Sequence, residues 1–128
     1  YDKQLKIGGL SHIMLPESSM FSKNDINRMK FADTAIPDLV QKLVQLGADR
    51  RRLTAKIAGG AQMFEVQAGS MVGTIGDRNT ASVKSTLQSL KIPILAEDTG
   101  LNYGRTVYFD LDTGIMKVQS LSRSIREF

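Results

Sequence analysis

Cysteine is absent from these 128 residues, tryptophan is absent too, and histidine occurs once. Without cysteine the residues can hold neither a disulfide framework nor a thiolate metal site. With one histidine their side chains cannot assemble a standard zinc centre. Aromatic residues make up 6% of the chain and do not interleave with the basic ones, so a stacking platform for single-stranded nucleic acid is not indicated. No apolar run approaches the roughly 18 residues that a membrane helix needs. The opening stretch, YDKQLKIGG, has no signal-peptide character. A cytoplasmic protein fits the lack of cysteine, although an absence does not fix the compartment.

What is present is ordinary for a globular protein: 41% hydrophobic and 23% charged residues. The length suits one domain over residues 1–128. Basic residues outnumber acidic ones 17 to 13, a net charge of +4. Such a balance can serve nucleic acid or any acidic partner. Here the charges are scattered, and the one cluster, Arg50-Arg51-Arg52, reads as a solvated turn between a helix and a strand. Neither nucleic acid binding nor membrane insertion is expected.

Apolar spacing predicts the elements. Leu5 to Leu15 reads as a strand, with Gly8 and Gly9 marking a bulge or a close backbone approach. Pro16 to Asp25 is a polar loop. Ile36, Leu39, Val40, Leu43 and Val44 share one helical face, and Gly47 stands where a C-terminal cap belongs. Pro37 either opens that helix or interrupts a longer one starting near Phe31. Leu53, Ala55 and Ile57 alternate as in a strand that ends in Gly59-Gly60. Asp77 or Asn79 can cap a second helix with Val83, Leu87 and Leu90 inside. IPILAED reads as a buried strand, and RTVYFDL and IMKVQSL form a hairpin around DTG. The order predicts an α/β fold: a mixed sheet of at least five strands with two main helices.

Four groups of residues could carry chemistry. His12, in GGLSHIMLP, could act as a general base, although a lone histidine in an apolar stretch is more often structural. Ser11 beside it is not a nucleophile–base partner, since neighbours on a strand face opposite ways. Gly59-Gly60-Ala61 ends a strand, where α/β proteins place ligand loops, yet no phosphate-loop motif follows and a tight turn suffices. Glu97-Asp98 could bind a divalent cation, do acid–base work or cap a turn. Arg78-Asn79 and Arg105 could clamp a carboxylate, or form structural ion pairs with Glu97 or Asp98.

Several of these stretches coincide with one family. GGLSHIMLP, KFADTAIPDLVQKLVQLGADRRRLTAKIAGGAQMF, IGDRN and AEDTG followed by Arg105 strongly resemble CheD, the chemoreceptor glutamine deamidases, over nearly the whole chain. The resemblance implies a layered α/β sandwich similar to that of glutamine-deamidating toxins. It implies hydrolysis of receptor glutamine side chains to glutamate by a catalytic Cys, the His of the H-x-M-L-P motif and a Thr, with no metal or cofactor. On that motif His12 is the catalytic histidine. Gly59, Gly60, Met63 and Phe64 match a loop beside the active site and are candidates for substrate or partner binding. Methyl-accepting chemoreceptors and the CheC phosphatase are the implied partners. A module that docks to CheC or the receptor without chemistry is the alternative.

The sequence departs from the family in two places. The family's G-S-C motif lies just ahead of a stretch resembling Tyr1-Asp2, so the nucleophile and the Thr are expected upstream. These residues alone are expected to be inactive and to lack N-terminal strands, which would leave a sheet edge open. Leu101 stands where the family usually has a second Gly, and Tyr103 adds bulk to the same turn.

Overall fold

The apolar stripe of the first predicted helix is the inner face of α1 (Ala32–Gln45) in the computed structural model, which describes residues 1–19, 21–22, 26–62, 74–120 and 123–128. Ala32, Ile36, Val40 and Leu43 are buried with Ala48, Leu53, Leu87 and Ile92 in one core. Leu39 packs against that core, whereas Val44 is exposed at the edge of the stripe. Pro37 lies inside α1, so the helix is the longer of the two anticipated ones and runs past a residue that cannot donate to the Asp33 carbonyl. At its end Gly47 takes φ +108°, while Gly47 N–H and Ala48 N–H donate to the Val44 and Leu43 carbonyls. This paired arrangement satisfies carbonyls that the helix itself leaves open.

Strand β1 (Ala55–Gly59) pairs in parallel with β2 (Ile94–Thr99). Parallel neighbours need a long crossover, and α2 (Ile75–Ser89) lies within it. Strands β3 (Thr106–Phe109), β4 (Met116–Ser120) and β5 (Arg123–Glu127) form a separate antiparallel sheet in sequence order. The class is α/β with parallel and antiparallel pairing, as expected. Lys56 Nζ, from β1, donates to the main-chain oxygens of Gly114 and Phe128 at 2.6 and 2.7 Å and ties the two sheets together.

Three expectations are corrected. Leu5–Leu15 is not a strand. Asp2 Oδ1 accepts from the N–H groups of Gln4 and Leu5, Lys6 takes φ +55°, and the chain turns back so that Asp2 bridges Ile7. The carboxylate draws the backbone into a turn that the apolar pattern hides. Among the described residues, five strands form, but the fifth is β5 and not the N-terminal stretch. The cap of α2 is Thr74, not Asp77 or Asn79; Thr74 and Asp77 complete a reciprocal capping box. The arginine cluster is a short 3-10 turn, and its last member is no solvated bystander: Arg52 binds the fully buried Asp2 carboxylate through two nitrogens at 3.1 and 2.8 Å.

Candidate functional site

His12 lies on an irregular stretch whose two ends are fastened differently. At the Pro16 end, Met14 N–H and Leu15 N–H both donate to the Lys30 carbonyl at 2.8 and 2.9 Å, and Ala32 N–H donates to the Leu15 carbonyl at 3.1 Å. The A-D-T-A start of α1 adds Asp33, whose carboxylate accepts from the N–H and hydroxyl of Ser18. From the opposite side, α2 reaches across with two side chains a turn apart. Asn79 Nδ2 donates to the Met14 carbonyl at 3.0 Å, and Ser82 Oγ donates to the Pro16 carbonyl at 2.7 Å. At the other end Gly8 and Gly9 permit the close approach read from the sequence. A Cβ on Gly8 would meet Leu111 and Tyr1 at 2.7 and 2.9 Å, and one on Gly9 would meet Leu39 at 2.8 Å.

The His12 side chain is exposed and has no hydrogen-bond partner among the described residues. Ser11 is exposed as well, so the strand alternation expected to separate the two side chains does not apply. Leu10 and Met14, on either side, are 66% and 61% exposed. The site therefore presents an imidazole ring, on a main chain held from Met14 onward, between two apolar side chains.

The Gly59-Gly60 loop rests on the same helix. Gly59 and Gly60 take φ +116° and +65°. A Cβ on Gly60 would collide with the Thr80 hydroxyl and stand 2.9 Å from the Gly76 carbonyl, and one on Gly76 would collide with the Gly60 main chain. The first two turns of α2 thus support both the His12 segment and the Gly60 loop. Met63 and Phe64, the other two candidates of that loop, lie outside the described residues.

The loop is also fastened to the turn after β2. Gly100 N–H donates to the Gly59 carbonyl at 2.9 Å, and Gln62 N–H to the Leu101 carbonyl at 2.7 Å. Arg105 organises that turn: it donates to Asp98 Oδ1 at 2.8 Å and to the carbonyls of Gly100 and Tyr103. Asp98 and Arg105 are 3% and 2% exposed at the side chain, and Arg126 reaches the other Asp98 oxygen at 3.2 Å. Among the described residues, Glu97 and Asp98 do not cap the turn through backbone N–H groups; both are held in ion pairs, and for Arg105 the structural pairing with Asp98 is the one observed. Asp98 is enclosed by two guanidinium groups, and Glu97 pairs with Lys84 at 2.6 Å. The Lys84 ammonium holds the Glu97 carboxyl below its ordinary value, against the opposing effect of desolvation. Leu101 takes φ +60°, a conformation that favours glycine.

Asn79 does not clamp a carboxylate; its amide holds a carbonyl. Ser82 was missed altogether. The available signal was its spacing from Asn79, which puts the two on one helical face.

Compared with known proteins, residues 14–120 match the family model described as CheD chemotactic sensory transduction. A protein of Clostridium kluyveri named probable chemoreceptor glutamine deamidase CheD is 50% identical over 127 residues, covering 99% of this chain and 78% of its own length. Proteins of the same name are 52% identical in Clostridium novyi, covering 98% of this chain and 77% of their own length, and 53% identical in Moorella thermoacetica, covering 98% and 75%. These matches, one over most of the chain and the others at about half identity over nearly all of it, lead to one conclusion: the chain belongs to the CheD family.

Proposed function

We propose that this protein deamidates glutamine side chains of chemoreceptors, with His12 as the proton-transfer group. The observation that carries the reading is the position of His12: an exposed imidazole with no partner among the described residues, in a stretch fastened to α1 and α2, in a chain whose relatives carry that activity in their names. A thiolate attacks the carboxamide carbon, and the carbonyl oxygen becomes an oxyanion held by main-chain N–H groups. His12 takes the thiol proton and returns it to the departing nitrogen, so ammonia leaves and a thioester remains. Water then cleaves the thioester, leaving glutamate and the restored thiol.

Residues 1–128 hold no cysteine, so the thiol comes from outside them. Tyr1 and Thr54 exchange both main-chain hydrogen bonds, at 2.9 and 3.0 Å, as an antiparallel pair does. A backbone leading into Tyr1 in that register would run along β1 toward Gly59. The apolar side chains of Leu10 and Met14 are the surface on which the receptor, and the phosphatase CheC as a competing partner, would settle. With those partners the reaction would run in the cytoplasm.

The test is ammonia release from a glutamine-containing receptor fragment by the protein as its gene encodes it. His12→Ala should lower turnover by about 100-fold or more while the folded circular-dichroism spectrum and receptor binding are kept. Binding with no turnover by the unsubstituted protein would favour the docking module. Undiminished turnover by His12→Ala would remove His12 from the chemistry.

A further inference from the structure

Among the described residues, the main chain of residues 8–13 makes no hydrogen bond, so the fixed point nearest His12 is Met14. Met14 is held twice: through its N–H by Lys30 and through its carbonyl by Asn79 Nδ2 at 3.0 Å. Of the two α2 side chains that hold the stretch, Asn79 grips the residue nearer His12 and Ser82 the Pro16 carbonyl, and α2 is fixed in turn by its capping box and by the Gly60–Gly76 contact. The orientation of the Asn79 amide is set by chemistry. The Met14 carbonyl only accepts, so the NH2 end must face it. Asn79 Oδ1 is then left buried with no partner among the described residues. A buried acceptor without a donor weakens a fold. The amide is thus poorly suited to stability and well suited to holding one carbonyl.

We propose that Asn79 is a positioning residue for the deamidation reaction: its amide fixes the Met14 carbonyl and, through the one residue between, Ile13, the place of the His12 ring. This inference rests on His12 being the proton carrier. A residue with that task acts on turnover more than on substrate binding, because Met14 keeps its N–H bond to Lys30 while the imidazole loses its tie to α2 and moves relative to the scissile amide. The isosteric Asn79→Asp exchange turns the donor into an oxygen facing a carbonyl. It therefore fails as Asn79→Ala does, although it preserves volume.

The experiment uses the protein as encoded, with the receptor-fragment assay and thermal unfolding run side by side. Asn79→Ala and Asn79→Asp should each lower kcat by roughly 10- to 100-fold, with KM changed by less than about twofold. The melting temperature of Asn79→Ala should be unchanged or higher, since its orphaned acceptor has gone. The lone imidazole supplies a second readout that does not need turnover: its ring proton–carbon NMR signals should shift in Asn79→Ala and stay in place in Ser89→Ala, at the far end of the same helix. Native kcat in Asn79→Ala, or a lower melting temperature with native kcat, would assign Asn79 to the fold alone. Unshifted ring signals would overturn the proposal irrespective of turnover. Native turnover in His12→Ala would instead defeat the functional reading, with the ring signals still reporting on Asn79.

Discussion

Asp2 has no solvent contact and keeps its charge because every approach to it is a donor: two Arg52 nitrogens and the N–H groups of Gln4, Leu5 and Asp49. The Arg52 guanidinium holds the Asp2 carboxyl far below the usual carboxylate range; burial opposes the shift, and main-chain donors assist it. A folded-state value below the unfolded one gives stability that is complete above the unfolded value of 3.8 and is lost as pH falls further, through the folded value. Asp2→Asn should therefore lower the melting temperature at neutral pH and flatten its decline below about pH 4, measured by thermal unfolding across an acid series. Gly60 is the opposite case, a residue chosen for having no side chain. Gly60→Ala meets both a left-handed backbone and the Thr80 hydroxyl. It should cost at least about 2 kcal/mol in urea unfolding. The need for glycine at residue 60 was legible as a tight turn. The role of Asp2 was not, because a carboxylate that captures its own backbone and a distant arginine leaves no periodic signal.

The helices were the most legible elements, since burial on one face imposes a spacing that composition cannot hide. Ile36, Val40 and Leu43 are buried, as that spacing requires. The stretch from Leu5 to Leu15 has the same apolar character without a second strand to pair with, and only isolated bridges form at Asp2–Ile7 and Leu15–Phe31. Hydrophobicity alone does not supply hydrogen-bond partners. The ends of α2 allow two tests. Thr74→Ala removes the hydroxyl that accepts from Asp77 N–H and should cost about 1 kcal/mol. At the other end Lys91 takes φ +57°, while its N–H and that of Ile92 close the helix on Gln88 and Leu87. Lys91→Gly relieves that backbone and should add about 0.5–1 kcal/mol, less than the full strain because glycine also loosens the unfolded chain. Both are read by chemical denaturation. Thr74→Ala should also raise hydrogen exchange at α2's first turns, which support the His12 segment.

Across the whole molecule, the two sheets meet through charge. Asp98 of β2 is gripped by Arg105 ahead of β3 and by Arg126 of β5, and Lys56 of β1 holds main-chain oxygens at Gly114 and Phe128. Arg105→Ala leaves the buried Asp98 with Arg126 and the Tyr103 hydroxyl and takes the guanidinium donor from the Gly100 and Tyr103 carbonyls. It should cost about 3–5 kcal/mol, and Asp98→Asn in the same chain should recover part of that loss. Residue types at motif spacing made His12, the Gly59-Gly60 loop and the Glu97-Asp98 pair visible in the sequence. Asn79 was visible too, but its target was not, because a side chain's choice between a carboxylate and a carbonyl 65 residues away is decided only once the chain has folded. The contact of Gly60 with Gly76 sets a rule for recombination between relatives. The two glycines form a lock in which neither half accepts a larger residue, so a chimaera that exchanges the segment after β1 must inherit the start of α2 from the same parent or preserve glycine at both places.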